Sequence, residues 1–135
     1  MILIASDLHL QTGAWADRPI RGDATYALQQ IIEICTAKQN ISTAVVLPGD
    51  LLDKQVNRSY PVITLQRGVR KLRELMAGHV YFIEGQHELD NPAWLTGAAT
   101  HLNGQLVRIP GRNGKPGVSL SGFGYQTQDK LASRL

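Results

Sequence analysis

A single cysteine, Cys35, occurs among the 135 residues. One thiol excludes an internal disulfide, and it excludes a thiolate zinc cluster, because both need partner cysteines. Cys35 falls on the apolar stripe of a predicted helix, where a small core residue is a simpler reading than a reactive nucleophile. Long hydrophobic runs are missing as well, and a bilayer span needs about 20 apolar residues. Met1-Ile2-Leu3-Ile4-Ala5 gives way at once to Ser6-Asp7, too short and too polar-flanked for a secretory leader. These absences point to the cytoplasm and away from a membrane. Internal repeats and low-complexity segments are also lacking.

Hydrophobic residues make up 43% of the chain, enough for a core without disulfides and for one domain or a large piece of one. The net charge of +3 is only mildly basic. Its distribution says more. Between Lys54 and Arg73 there are six basic residues and no acidic one. Such a run suits a polyanion such as nucleic acid, although on charge alone a solvated helix face is the plainer reading.

Three short apolar runs, over residues 2–5, 43–47 and 80–83, read as buried strands. Continuous apolar strands fit a parallel sheet covered on both faces. Two helical patterns separate them. Over 24–38, Leu28, Ile31, Ile32 and Cys35 form an inward stripe, with Asp23 as the expected N-cap. Over 61–76, Val62, Leu65, Val69, Leu72 and Met76 recur at helical spacing, with Arg67, Arg70 and Lys71 on the opposite side. Pro61 suits the first turn and Gly78 the stop, while Gly68 costs helix propensity. Strand, helix, strand, helix, strand predicts an α/β fold with a mainly parallel sheet flanked by helices. Further on, 105–109 and 117–123 read as shorter strands joined by a Gly- and Pro-rich turn, a hairpin that begins a second sheet.

Polar clusters follow each of the three parallel strands: Asp7-Leu8-His9, then Gly49-Asp50, then Gly85-Gln86-His87-Glu88. In open α/β sheets, ligands bind beyond the carboxyl ends of the strands. The fold would therefore bring the clusters to one place. In an extended segment residues two apart point the same way, so Asp7 and His9 are expected to face one ion while Leu8 turns to the core. Gly49 and Gly85 would let the backbone pass close to a neighbour. Singly, each cluster is an ordinary surface or turn feature. Together, in order and each at a strand end, they predict a metal site.

Asp7-Leu8-His9, Gly49-Asp50-Leu51-Leu52-Asp53 and Gly85-Gln86-His87-Glu88 resemble the successive motifs of the calcineurin-like metallophosphoesterases. Those motifs run Asp-x-His, Gly-Asp-x-x-Asp and Gly-Asn-His-Asp/Glu. Ser6-Asp7-Leu8-His9-Leu10 and Arg18-Pro19-Ile20-Arg21-Gly22-Asp23 are similar to the bacterial SbcD-type nucleases of DNA double-strand-break repair. The resemblance covers essentially the whole chain but only the first half of the family's α/β/β/α sandwich.

By that resemblance, Asp7 and His9 bind a first metal, Asp50 bridges two, Gln86 stands at an asparagine ligand of the second, and His87 is the catalytic histidine. Asp53 and Glu88 support the shell. The implied chemistry is two-metal hydrolysis of a phosphodiester, with manganese the expected ion and iron or zinc alternatives. The implied partners are DNA, a second copy of the chain and an SMC-like ATPase. Arg18, Arg21, Arg67, Arg70 and Lys71 are candidate DNA contacts. Trp15 and Trp94, each in a loop, read first as core anchors and second as base-stacking platforms.

Two departures qualify the match. Gln86 replaces asparagine, and its extra methylene displaces the amide oxygen by up to roughly 1.5 Å. The family's later histidine motifs have no counterpart, because His79 precedes the third strand and His101 falls in a predicted loop. The expected domain is thus the N-terminal part of a metallophosphoesterase, a piece of a longer enzyme or a naturally short chain with a partial site. A half-domain of this kind leaves a sheet edge and an apolar face open to pairing. The expected function is DNA exo- or endonuclease activity. The alternatives are phosphoester hydrolysis on a small substrate, or a non-catalytic DNA- or protein-binding role.

Overall fold

The structure, a computed structural model, describes residues 1–10, 24–41, 43–53, 59–88 and 95–125. Asp23, Trp15 and Trp94, and the candidate DNA contacts Arg18 and Arg21, lie outside the described residues.

Strands β1 (Ile2–Ile4), β2 (Ala44–Pro48) and β3 (Val80–Ile83) pair in parallel and in chain order, with Leu3 opposite Val45 and Val46 opposite Tyr81. Helices α1 (Ala24–Ala37) and α2 (Ser59–Leu75) form the two crossovers. The observed α/β architecture is the one expected. Its strands are apolar throughout because both faces are used. Leu3, Val45, Leu47, Val80 and Phe82 pack toward the helices, while Ile2, Ala44, Val46, Tyr81 and Ile83 belong to a second core on the other face. That alternation follows from the two-residue period of a strand.

The helical stripes bury as their spacing predicts. Leu28, Ile31 and Cys35 from α1 and Leu65, Val69 and Leu72 from α2 join one cluster. Each such side chain contributes roughly 1.5–3 kcal/mol by leaving water. Gly68 acquires a purpose here. A Cβ at this position would come within 2.7 Å of Leu28 Cδ2, so the glycine sets how closely α2 approaches α1. After α2 the chain stops through left-handed Ala77 and Gly78, whose N–H reaches back to Arg73 O at 2.8 Å. This is the Schellman form of helix ending, placed one residue earlier than Gly78 alone suggests.

A fourth parallel strand, β4 (Thr100–His101), extends the sheet beyond β3, pairing Tyr81 with Thr100 and Phe82 with His101. His101 is therefore in a strand and not in a loop. Two residues with no apolar run of their own leave no readable pattern, and pairing with β3 alone defines them. The hairpin of β5 (Leu106–Ile109) and β6 (Val118–Ser121) forms the expected separate antiparallel sheet. It lays Val107, Ile109 and Leu120 against the second core. Ile4, which shares a face with Ile2 by that alternation, is 69% exposed. This side of the parallel sheet is thus only partly covered among the described residues.

None of the described helices is long and apolar enough to cross a membrane.

Candidate metal centre

All three clusters lie at the carboxyl edge of the parallel sheet. The loop after β1 runs beside the loop after β2, with Asp7 N–H donating to Gly49 O, His9 N–H to Asp50 O and Leu10 N–H to Leu51 O at 2.9–3.2 Å. Parallel pairing thus persists past the strands, ending in a bridge between Leu10 and Leu52. Leu8 and Leu10 point into the core at 8% and 1% exposure. They anchor a loop whose polar residues face out.

The means of convergence differs from expectation. Asp7 and His9 are not extended. Both adopt left-handed backbone, with φ of 56° and 47°, as does Asp50 at 50°. Non-glycine residues there cost of order 1 kcal/mol or more and persist where surrounding bonds hold them. Here the cross-loop bonds hold them. Asp7 Oδ1 still comes within 3.9 Å of His9 Nε2, but the Asp7 side chain is 66% exposed.

One ligand atom each from His9, Asp50 and His87 lie within 4.8 Å of one another. The His9 and His87 rings meet edge to face, with centroids 5.0 Å apart. Two imidazoles and a carboxylate are a donor set suited to a divalent transition ion. Asp53 lies behind both rings, its Oδ1 3.8 Å from His9 Nδ1 and 3.9 Å from His87 Nδ1. These separations exceed hydrogen-bond length, yet they place a carboxylate at the same nitrogen of each ring. The cluster brings His9, Asp50 and His87 together, with Asp7 at its edge. Gln86 is exposed beside His87.

Glycines allow this closeness. A Cβ at Gly49 would stand 2.6 Å from Gly85 Cα, and Gly49 has φ +88°. A Cβ at Gly85 would overlap the Asp50 amide nitrogen and carboxylate. His87 N–H donates to Asp50 Oδ1 at 3.1 Å, so the β2 carboxylate also fixes the β3 loop. Glu88, buried at 6% exposure, accepts N–H bonds from Asp50, Leu52 and Gly85.

The remaining basic candidates lie elsewhere. Arg67, Arg70 and Lys71 are exposed on α2, and Lys71 meets Glu74 at 3.5 Å. Arg70 and Lys71 are in the last turns of α2, which leads into the start of β3 at the opposite edge of the sheet. His79 Nδ1 contacts the Tyr81 hydroxyl at 3.0 Å, consistent with a structural residue.

Glu84 is a residue that sequence reasoning passed over. Its side chain is 2% exposed, and Oε1 lies 2.6 Å from His101 Nε2. That distance suits an ion pair, yet among the described residues neither His101 Nε2 nor Glu84 Oε2 has a hydrogen-bond partner. The available signal was a lone glutamate closing an apolar strand, between Ile83 and Gly85.

Mixed imidazole and carboxylate donors at the carboxyl edge of a parallel sheet are a set that could hold a metal ion. The calcineurin-like phosphoesterase family model matches residues 1–127, and the chain belongs to that family, which hydrolyses phosphoesters with metal ions. Comparison with the curated proteins gave no match.

Proposed function

We propose that the chain is a phosphodiesterase acting on DNA, with manganese held by His9 and Asp50 and His87 beside it as the catalytic histidine. The observation that carries this reading is the convergence of those three donors within 4.8 Å. Asp7 and Gln86 would complete sites for two ions, the first beside His9 and the second beside His87. Divalent ions bound there would polarise a phosphoryl oxygen and supply a nucleophile at neutral pH. His87 would donate a proton to the leaving oxygen from Nε2, with the Asp53 carboxylate 3.9 Å away on its Nδ1 side. Asp50 would hold the ions while keeping the His87 backbone in place.

Two features favour a polymeric substrate. The His9 and His87 side chains are 40% and 28% exposed, so a phosphate held by a long backbone can reach them. The exposed Arg67, Arg70 and Lys71 extend positive charge along α2, and a nucleic acid tracks such charge over a distance. A second reading is a small phosphodiester or phosphomonoester, favoured by the position of Arg70 and Lys71 toward the far edge of the sheet.

Incubating the chain with manganese, labelled DNA and a chromogenic phosphodiester separates the two. Preference for DNA, lost in Arg67→Ala/Arg70→Ala/Lys71→Ala while the chromogenic reaction survives, supports the DNA reading. DNA cleavage by the triple variant at the wild-type rate, or no preference for DNA in the wild type, would overturn it.

A further inference from the structure

We infer that Glu88 is the positioning residue that locks the β2 and β3 loops into one metal-binding unit. The inference rests on the metal-centre reading above. Glu88 Oε2 accepts the Asp50 N–H at 2.9 Å and the Gly85 N–H at 2.7 Å, while Oε1 accepts the Leu52 N–H at 2.8 Å. One carboxylate therefore joins the loop after β2 to the loop after β3, across 36 to 38 residues of sequence. Bonds to a carboxylate are roughly twice as strong as neutral ones. A buried N–H left without a partner costs about 1–3 kcal/mol.

The pattern is reciprocal. Glu88 holds the Asp50 amide, and Asp50 Oδ1 holds the amide of His87, the residue next to Glu88. Each loop thus fixes the backbone that presents the other's donor. Asp50 sits at φ 50°, a conformation that relaxes unless its N–H is held. Glu88 supplies that hold from a buried position, so it acts on the ion only through Asp50 and His87. Leu52 N–H, the third partner, fixes the segment leading to Asp53, whose carboxylate faces both imidazoles. The one residue therefore governs the Asp50 carboxylate, the His87 imidazole and the Asp53 carboxylate that faces both rings.

The test compares manganese affinity in the intact wild-type chain and in Glu88→Gln. Binding is read from the spin-resonance signal of free manganese, and thermal melting is followed in chelator. Glu88→Gln keeps the size of the side chain but turns an NH2 toward backbone donors. The expected result is affinity weakened by about tenfold or more at temperatures where the chelated variant is folded, as for other residues that orient metal ligands. A residue important only for folding would lower the melting temperature and leave affinity unchanged, and that result overturns the inference. Wild-type chain that binds no manganese sinks the metal-centre reading itself, and this inference with it. If Glu88→Gln does not fold, amide exchange in the wild type decides, with diamagnetic zinc as the probe. Joint slowing at Asp50, Leu52 and Gly85 on adding zinc supports the lock, and unchanged or unrelated rates refute it.

Discussion

Gly85 packs so closely on Asp50 that a single methyl at position 85 would occupy the space of the Asp50 amide nitrogen and carboxylate. The contact is between backbone and a donor group, with no flexible tip to yield. Gly85→Ala is therefore expected to cost about 2 kcal/mol or more in stability, and to weaken metal binding in whatever fraction folds. Urea unfolding alongside manganese titration checks both. A variant as stable as the parent, with equal affinity, would show that the loops have room to separate.

Gly68→Ala sets two effects against each other. Alanine improves helix propensity by about 1 kcal/mol. Its methyl would press on Leu28 Cδ2 at 2.7 Å, and Leu28 is 2% exposed, so the side chain has little room to retreat. Overpacking of this kind costs about 1–3 kcal/mol. The net expectation is a loss of up to about 2 kcal/mol with metal affinity unchanged, measured by thermal melting and manganese titration. A clear gain in melting temperature would mean that α1 and α2 pack more loosely than described.

His87→Gln removes an imidazole but leaves the backbone N–H that binds Asp50. Phosphodiester turnover is expected to fall by about 100-fold or more, the range of a lost acid–base group. The melting temperature in chelator should stay within a few degrees of the parent. Turnover retained within threefold would assign the chemistry to another group.

Burial pushes the Cys35 thiol up from its ordinary value. Folded chain then keeps a proton that unfolded chain releases in mild alkali. This contribution to stability is complete below the ordinary thiol range and declines as pH rises through it. Tyr81 shifts in the same direction, also through burial, so the comparison needed is between wild type and Cys35→Ala. Denaturant unfolding at about pH 7 and pH 9.5 should show a larger alkaline loss in the wild type. Equal losses would place the thiol in contact with solvent.

Much of the fold was legible because its signals are local. Residues 80–83 are apolar without interruption, and that alone marks a strand covered on both faces. The Leu65, Val69, Leu72 spacing marks one helix face. The grouping of His9, Asp50 and His87 was legible as clusters at strand ends, since strand order brings such ends together. What stayed hidden depends on partners distant in sequence. Thr100 and His101 are a strand only because Tyr81 and Phe82 pair with them. The left-handed backbone of Asp7, His9 and Asp50 has no glycine to announce it. Gly68 looked like a cost to its helix until Leu28 appeared opposite. The Glu84–His101 contact joins two residues that carry no shared pattern.

The most direct test of the central claim is anomalous diffraction at the manganese edge from a crystal soaked in manganese. The account predicts a peak at bonding distance from His9 and Asp50 and beside His87, absent in Asp50→Ala crystals soaked in parallel. No peak at those three side chains, or a peak bound elsewhere and unaffected by Asp50→Ala, would contradict it.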